Sequence, residues 1–367
     1  MDLKEKFSSK QLTIIIIAIC AVFIFLGIFT IVIGNEAESS GEKYVTVDGE
    51  KYVTVDENDD KGSDVSGRKY KFDSRNDRSE GGAEEDSMTV NKPIEGDPYQ
   101  ELDELIGLES VKEEVRSLAN FVKVQKMREE KGLKSPKLSY HLVFTGSPGT
   151  GKTTVARIVA RIYKDLGILK KGHLVETDRS GLIGKYVGQT APRVNAACDS
   201  ALNGVLFIDE AYALTQSESS QDYGAEAVAT LLKRMEDDRD KLVVIVAGYT
   251  DEMKKFIDTN PGLQSRFNRY INFPDYSSGE LYEIFRLYLK KNEYTITKEG
   301  AAMLQQGLEQ AVRNKDRNFG NARYVRNLFE KAIQCQANRL SKTKNVGDDE
   351  LVELTAADIK SAFQEMR

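Results

Sequence analysis

One stretch constrains the fold of this chain more than any other: HLVFTGSPGTGKTTVARIVARIY, at residues 141–163. It predicts a buried strand at 142–145, a glycine-rich turn, and a helix that begins with Lys152, Thr153 and Thr154. The turn fits the pattern G-x-x-x-x-G-K-[ST], in which Gly146 and Gly151 are the fixed glycines. An ordinary glycine-rich turn is the alternative, but the strand before it and the helix after it favour a phosphate-binding loop.

The backbone of such a loop wraps around phosphate oxygens, and side chains in place of the glycines would block that approach. The N-terminus of the next helix adds a partial positive charge at the same point. Lys152 is expected to reach the β- and γ-phosphates, and the hydroxyl of Thr153 is expected to bind Mg²⁺. The predicted loop residues are Gly146, Ser147, Pro148, Gly149, Thr150, Gly151, Lys152, Thr153 and Thr154.

A second apolar run, GVLFIDE at 204–210, ends in two carboxylates and follows the loop after one intervening β-α unit. Asp209 is expected to bind Mg²⁺ through water, and Glu210 is expected to orient and polarise the attacking water. Both residues lie at the carboxyl end of a predicted strand, where ligands bind in α/β sheets. A charged strand end that faces solvent is the alternative.

Strands and helices alternate through the middle of the chain. A long amphipathic helix is predicted to begin near Ser110, before the glycine-rich loop. Beyond the loop, strands are predicted at 173–177, 204–208, 242–247 and 270–273. Helices are predicted between them at 190–202, 225–235 and 251–257. This alternation predicts an α/β fold with a parallel sheet covered on both faces. From residue 277 onward the periodicity is helical only, at 280–290, 298–312, 321–340 and 355–366, which predicts a small helical domain.

The N-terminal part has a different character. Residues 1–11 are short and polar, whereas residues 12–33 carry no charge and are rich in Ile, Phe, Val and Leu. As a helix this run spans about 33 Å, which is enough to cross the hydrocarbon core of a membrane. A cleaved signal peptide is the alternative, but the run is too long and lacks an A-x-A-like end. We therefore expect a transmembrane helix that anchors the chain in the cell membrane as a single-pass protein.

Two arguments disagree on the orientation of this anchor. Lys4, Lys6 and Lys10 precede it, and Lys43 and Lys51 follow closely, which favours a cytoplasmic N-terminus and places the nucleotide site outside the cell. The need for a nucleoside triphosphate favours the opposite orientation. Because the charge difference is small, we expect the C-terminal domain to be cytoplasmic.

Residues 34–98 contain 18 Asp and Glu against 9 Lys and Arg. Their low hydrophobicity predicts a disordered, flexible acidic linker, because too little apolar surface is available to offset the cost of ordering. Within it lies a tandem octapeptide, EKYVTVDG at 42–49 and EKYVTVDE at 50–57. Its alternation is compatible with a short strand or with a peptide that docks on a sheet edge, although a simple duplication in a solvated linker is the favoured interpretation.

The rest of the chain is close to neutral, since the whole chain carries a net charge of −6 and the linker is more acidic than that. We therefore expect no nucleic-acid partner. Cys20, Cys198 and Cys335 lie far apart without C-x-x-C spacing, which argues against a disulfide framework or a zinc site. The two histidines, His141 and His173, are expected at the edges of strands.

Many short blocks between about residues 105 and 340 resemble an AAA+ ATPase of the CbxX/CfqX group, which includes red-type Rubisco activase and stage V sporulation protein K. The blocks are LIGLESVKEEV, TGSPGTGKTTVARIVA, KGHLVETDRSGLIGKYVGQTAP, GVLFIDEAYAL, DYGAEAVATLL, VVIVAGYTDEM, NPGLQSRFNRYINFPDY and FGNARYVRNLFEKA. The resemblance implies a P-loop core with a five-stranded parallel sheet at 99–275 and a helical lid at 276–367. It also implies ATP and Mg²⁺ as cofactors and a homo-oligomeric ring, expected to be a hexamer.

The resemblance assigns roles to further residues. Ile106 and Gly107 match the segment that packs on adenine. Tyr186, Val187 and Gly188 match the first pore loop, whose aromatic side chain grips a substrate polypeptide in the central channel. The position of Tyr186 between two glycines favours exposure, while packing of its ring into the core is the alternative.

Arg266 and Arg269 match the arginine fingers of the family, which project from one subunit to the γ-phosphate bound by its neighbour. A guanidinium suits this task because it is permanently charged and spreads its donors over several oxygens. The implied active site is therefore completed by a second copy of the chain.

Two sensor positions complete the set. Arg323 matches the sensor 2 arginine of the lid, with Arg326 as a second candidate. Many AAA+ proteins have a polar Asn, Ser or Thr at sensor 1, where this chain has Tyr249 and Thr250, and either residue could hold the water.

The leading hypothesis is a membrane-tethered AAA+ ATPase whose ring hydrolyses ATP to remodel a partner protein through a central pore. The alternative is a nucleotide-gated membrane scaffold in which ATP binding rather than turnover matters. A motor directed at DNA is disfavoured by the lack of a basic stripe.

Overall fold

The computed structural model describes residues 43–47, 50–54, 88–91, 96–134, 139–215 and 223–366. The chain divides into two units, residues 1–81 and 82–367, which are described separately. The predicted polar start at 1–11 and the predicted membrane anchor at 12–33 lie outside the described residues. Within the described ranges, no helix combines the length and the apolar character needed to cross a bilayer.

In the first unit the two copies of the octapeptide pair with each other. Strands β1 (Lys43–Val47) and β2 (Glu50–Thr54) are antiparallel, with Lys43 opposite Thr54 and Val47 opposite Glu50. These residues lie within the predicted acidic linker. A strand, one of the two possibilities left open by the alternating sequence, is what forms.

The second unit is built on a six-stranded sheet. Its strands are β3 (Thr89–Asn91), β4 (Leu142–Gly146), β5 (Leu174–Thr177), β6 (Gly204–Ile208), β7 (Leu242–Gly248) and β8 (Tyr270–Phe273), in the order β3-β5-β6-β7-β4-β8. The five strands from β4 to β8 are parallel, which confirms the predicted parallel sheet. The antiparallel edge strand β3 was not predicted and lies inside the range assigned to the linker.

Helices cover both faces of this sheet. They are α1 (Pro98–Glu104), α2 (Glu109–Glu130), α3 (Lys152–Asp165), α4 (Arg179–Leu182), α5 (Thr190–Ser200), α6 (Gly224–Asp237), α7 (Thr250–Asp258) and α8 (Pro261–Arg266), with a 3-10 helix at Ala211–Thr215. Successive residues of a strand point to opposite faces. Phe144 of β4 accordingly packs with α2 and α3, whereas Val143 packs with α5, α6 and α7. Every residue of β4, β6 and β7 is buried, as expected for central strands.

The C-terminal part forms a helical lid. It contains α9 (Ser278–Lys291), β9 (Thr295–Ile296), α10 (Lys298–Arg313), α11 (Ala322–Leu340), α12 (Asp348–Val352), β10 (Glu353–Leu354) and α13 (Ala356–Glu365). The prediction of helices alone is wrong in one detail, because β9 and β10 form a short parallel pair. Apolar residues of the lid, such as Phe285 and Phe329, belong to the same hydrophobic cluster as the α2–α3 side of the sheet, so lid and core are packed together.

Candidate nucleotide-binding site

A cavity of about 610 Å³ lies between the glycine-rich loop, the segment before α2 and the lid. Its lining includes eleven of the predicted site residues: Ile106, Gly146, Pro148, Gly149, Gly151, Lys152, Thr153, Thr154, Asp209, Glu210 and Arg323. The structure therefore brings the two sequence motifs and the lid arginine to one place.

The loop after β4 needs glycine at two positions for steric reasons. Gly146 has φ 145 and Gly149 has φ 70, which side chains rarely adopt. A methyl group at Gly146 would overlap the carbonyl oxygen of Phe273, and one at Gly149 would overlap that of Gly320. The loop is thus pressed against β8 on one side and against the lid on the other. Thr150 is buried and donates its hydroxyl hydrogen to the carbonyl oxygen of Ser147 at 2.9 Å, which closes the turn.

Lys152 begins α3 and is almost fully buried. Its Nζ donates to the carbonyl oxygens of Gly146 (2.9 Å) and Ser147 (2.8 Å), so the ammonium group lies inside the curve of the loop. Burial lowers the pKa of Lys152, and the carboxylate of Asp209 opposes that effect. A cation enclosed by a glycine-rich loop at a helix N-terminus is suited to bind phosphate oxygens.

The candidate ligands for a divalent cation lie beside this lysine. Thr153 and Asp209 both line the cavity. The hydroxyl of Thr153 is 3.5 Å from Oε1 of Glu176, a carboxylate held by Arg157 at 3.1 Å. Hydroxyl and carboxylate oxygens together with nucleotide phosphates are what Mg²⁺ prefers. The residues present therefore fit the predicted magnesium site.

Glu210 follows β6 with φ 47, its side chain is exposed, and the residue lines the cavity. Its N–H donates to Oδ1 of Asp209 at 3.0 Å, which ties the two acidic residues together. Burial and the nearby Glu210 carboxylate raise the pKa of Tyr212 to about 12. A carboxylate at the mouth of a phosphate site has the position of a base that activates water.

The cavity also has an apolar group among its lining residues. This group consists of Ile106, Leu105, Leu108, Ile284 and Leu287. Gly107 does not face the cavity directly; it has φ 59, and a methyl group in its place would overlap the carboxylate of Glu280 at the start of α9. An apolar slot of this kind suits a nucleobase.

The predicted pore loop lies between α4 and α5 and points away from the core. Tyr186 is 70% exposed and Val187 is 84% exposed, while Gly188 has φ 78. The alternative in which Tyr186 packs into the core is therefore wrong.

The two predicted finger arginines do not contact the cavity of their own chain. Arg266 pairs with Glu236 of α6 at 3.2 Å, and Arg269 stacks over the ring of Phe121 at 4.5 Å. Among the described residues that line the cavity, neither arginine is present. Both predicted finger arginines therefore lie apart from the cavity that holds Lys152 and Glu210.

The sensor candidates are partly distinguished by the structure. Arg323 and Arg326 both line the cavity, and Arg326 is also paired with Glu330 at 2.9 Å. Tyr249 lines the cavity, whereas Thr250 is the first residue of α7 and is absent from the described lining. The hydroxyl of Tyr249 lies 3.4 Å from Oδ1 of Asn318, so this residue connects the core to the lid.

One residue of the site was missed by the sequence analysis. Asn321, a lid residue that directly precedes α11, is completely buried against the loop, and its amide donates to the carbonyl oxygen of Pro148 at 3.2 Å. The available signal was the pair Gly320-Asn321 directly before a helical pattern, because such pairs favour unusual backbone conformations.

Comparisons with known proteins agree with this geometry. The model of the ATPase family associated with various cellular activities (AAA) matches residues 142–275, and the AAA lid domain matches residues 277–367. The chain is 45% identical over 258 residues to the chloroplastic ribulose bisphosphate carboxylase/oxygenase activase of Cyanidioschyzon merolae, which is 70% of this chain and 87% of that protein. It is 42% identical over 281 residues to the ESX-3 secretion system protein EccA3 of Mycobacterium leprae, which is 72% of this chain but only 44% of EccA3.

Among solved structures, the FIGL-1 AAA domain in complex with ADP superposes with a TM-score of 0.52 at 20% identity, covering 77% of this chain and 88% of that one. At that identity the similarity shows the fold alone. The family models and the relatives, together with the loop and the paired acids, lead to one conclusion: the chain belongs to the AAA family of ATPases, within its CbxX/CfqX-like group, and consists of an AAA nucleotide-binding domain followed by an AAA lid domain.

Proposed function

We propose that this chain is an ATP-hydrolysing motor that assembles into a ring, expected to be a hexamer, and remodels a partner protein through a central pore. The observation that carries the proposal is the separation of two functional sets. The cavity holds Lys152, Asp209 and Glu210, whereas Arg266 lies on another part of the same domain. A site with a base and a phosphate cradle but with its arginine elsewhere fits hydrolysis completed by a second copy.

Each part of the cavity has a task in this reaction. The loop backbone and Lys152 bind the triphosphate, and the apolar slot around Ile106 binds the adenine ring. Mg²⁺, when bound by Thr153 and Asp209, would neutralise charge on the phosphates. Glu210 takes the proton of the attacking water, for which its exposed carboxylate at the cavity mouth is suitably placed.

The guanidinium of Arg266 is not fully hydrogen-bonded by the described residues of its own chain. Arg266 is only 26% exposed in its side chain and pairs with Glu236 through one terminal nitrogen. Its Nε is buried and has no hydrogen-bond partner among the described residues. A buried donor without a partner costs stability, so the described contacts within one copy do not satisfy the whole guanidinium.

The exposed pore loop supports a polypeptide as the substrate. Tyr186 and Val187 present apolar surface to solvent at a loop tip, a composition suited to gripping side chains of varied sequence. One relative is named an activase of ribulose bisphosphate carboxylase/oxygenase and the other a secretion system protein, and the part shared with EccA3 is less than half of that protein. Their clients are therefore not transferred to this chain.

The uncharged run at 12–33 supports tethering to the cell membrane, with the ATPase domain on the cytoplasmic side where ATP is present. The second candidate function remains a membrane scaffold gated by ATP binding. The complete hydrolytic set of Lys152, Thr153, Asp209 and Glu210 favours the motor, because a scaffold has no need of a base at the cavity mouth.

Steady-state ATPase assays on the full chain test the proposal. We expect Glu210→Gln to bind ATP with near wild-type affinity and to lose at least about 100-fold in turnover, the usual contribution of a general base. Glu299→Gln, at an exposed position in the lid, is the matched control and should turn over normally. Negligible hydrolysis by the wild type, with nucleotide binding retained, would support the scaffold instead.

A further inference from the structure

Asn321 combines complete burial with an unusual backbone. It has φ 48 and ψ −121 and directly precedes α11. Side chains rarely adopt this conformation, which glycine reaches without strain. Strained residues persist where the surrounding structure holds them and where the strain serves a purpose. An asparagine in a place where glycine would be relaxed therefore indicates that its side chain has a role.

The amide of Asn321 joins three segments of the domain. Its Nδ2 donates to Oδ1 of Asp275 (2.9 Å), to the carbonyl oxygen of Phe319 (3.1 Å) and to that of Pro148 (3.2 Å). Its Oδ1 accepts from the N–H of Tyr276 at 3.0 Å. Since the amide has two hydrogens, its three acceptors share them. One side chain thus connects the phosphate loop, the core-to-lid connection and the lid.

Backbone contacts on either side of Asn321 strengthen this junction. The N–H of Ala322 donates to the carbonyl oxygen of Gly149 at 3.1 Å. Gly149 also lies so close to Gly320 that only glycine fits at position 149. Residues 148 and 149 of the loop therefore lie directly on residues 320–322 of the lid.

Asp275 anchors the same junction from the core-to-lid connection. It forms a salt bridge with Lys315 at 2.6 Å. Burial opposes its ionisation, but hydrogen bonds from Lys315, Asn321 and Ser147 keep its pKa below the ordinary value. Asn321 accordingly faces a carboxylate, two carbonyl groups and one N–H, which match its donors and acceptor.

We propose that Asn321 is a positioning residue that couples the phosphate loop to the lid. By holding the carbonyl of Pro148 it fixes the loop in the shape that binds phosphate, and it places Arg323, two residues further on, at the cavity wall. A nucleotide that shifts Pro148 would, through the hydrogen bond to Asn321, also shift the start of α11. This inference rests on nucleotide binding at the proposed site.

The test is ADP binding by the full chain, measured with a fluorescent ADP analogue so that hydrolysis plays no part. Asn321→Gly removes all four side-chain hydrogen bonds and relaxes the backbone. We expect its ADP affinity to fall at least about tenfold and hydrogen exchange across residues 146–153 to become faster. Asn314→Gly, an exposed position at the end of α10, is the matched control and should leave both measurements unchanged.

A second variant keeps the shape of the side chain. Asn321→Asp retains the acceptor for Tyr276 but cannot donate to Pro148, so we expect the same two effects. Wild-type ADP affinity in either folded variant overturns the coupling, and so does lost affinity without faster exchange in the loop. Failure of the wild type itself to bind ADP overturns the proposed nucleotide site as well, which separates the two conclusions.

Discussion

Lys152 and His141 are both buried bases, but their neighbours give them different properties. Burial lowers the pKa of Lys152, while Asp209 and two loop carbonyls favour its charged form. Burial also lowers the pKa of His141, and the charge of Arg266 adds to that effect, so the pKa falls to about 4. His141 is therefore neutral at pH 7, and its Nδ1 accepts from the N–H of Val244 at 2.9 Å. The lysine is suited to binding anions, whereas the histidine belongs to the core.

The buried histidine predicts a loss of stability in mild acid. Because the unfolded chain takes up this proton near pH 6.5 and the folded chain only near pH 4, the free energy of unfolding falls as the pH is lowered between those values, by up to about 3 kcal/mol. His141→Gln keeps an acceptor for Val244 but does not titrate. We expect urea unfolding at pH 7 and pH 5 to show a smaller loss for the variant than for the wild type. Carboxylates act equally in both proteins, so equal losses would contradict the assignment.

Residue positions in the site were predictable where a motif fixes the spacing. The loop residues, Asp209 and Glu210 are of this kind, because the order of strand, turn and helix determines which side chains meet. Asn321 was not predictable, because its four partners come from three segments that meet only when the lid packs on the loop. The choice between Tyr249 and Thr250 had the same difficulty, since it depends on how β7 ends and α7 begins.

At the level of elements, the loop after β4 is a contact surface as well as a phosphate site. It packs against β8 through Gly146 and against the lid through Gly149. A change in the loop at Gly149 would therefore act directly on the lid at Gly320.

This packing predicts a specific effect of one added methyl group. Gly149→Ala places a Cβ against the carbonyl of Gly320, which must push the lid segment away from the loop. We expect ADP affinity of the full chain to fall at least about tenfold, as for a loss of roughly 1.4 kcal/mol or more. Gly132→Ala is the matched control, because Gly132 has the same φ of 70 but nothing within 4 Å. Equal ADP affinity for both variants would mean that the loop does not depend on its contact with the lid.

The central strands were predicted well and the small ones poorly, for a physical reason. β4, β6 and β7 are apolar runs that are buried on both faces, so their sequences alone identify them. β3 has three residues in an acidic stretch and is a strand only because β5 offers an open edge. β1 and β2 likewise depend on each other as partners. Pairing that a segment obtains from another segment is not encoded in its own composition.

For the whole molecule, the decisive question is where the finger arginine acts. Arg266 lies at the end of α8, and Ser139 donates its hydroxyl hydrogen to the carbonyl oxygen of Arg266 at 2.5 Å. This fixes the arginine in a part of the domain distinct from the described cavity wall. An arginine that contributes in trans is worth orders of magnitude in rate, so a single copy should hold only half of an efficient active site.

Mixing two inactive variants tests this division directly. Arg266→Ala has an intact base but no finger to offer, and Glu210→Gln has an intact finger but no base. We expect each full-length variant alone to lose at least about 100-fold in ATP turnover. In an evenly mixed ring about a quarter of the sites combine the intact base of one copy with the intact finger of the next, so turnover should return to about that fraction.

The control is the same substitution at an exposed arginine that is not predicted to be a finger. Arg286→Ala removes a guanidinium from the exposed side of α9, where it pairs only with the nearby Glu283 in the described part of the chain. It should be active alone, and its mixture with Glu210→Gln should give no more than the sum of its parts. An Arg266→Ala variant that hydrolyses ATP normally would show that Arg266 is not the finger, whereas a mixed ring as inactive as either variant alone would show that the base and Arg266 do not combine across two copies.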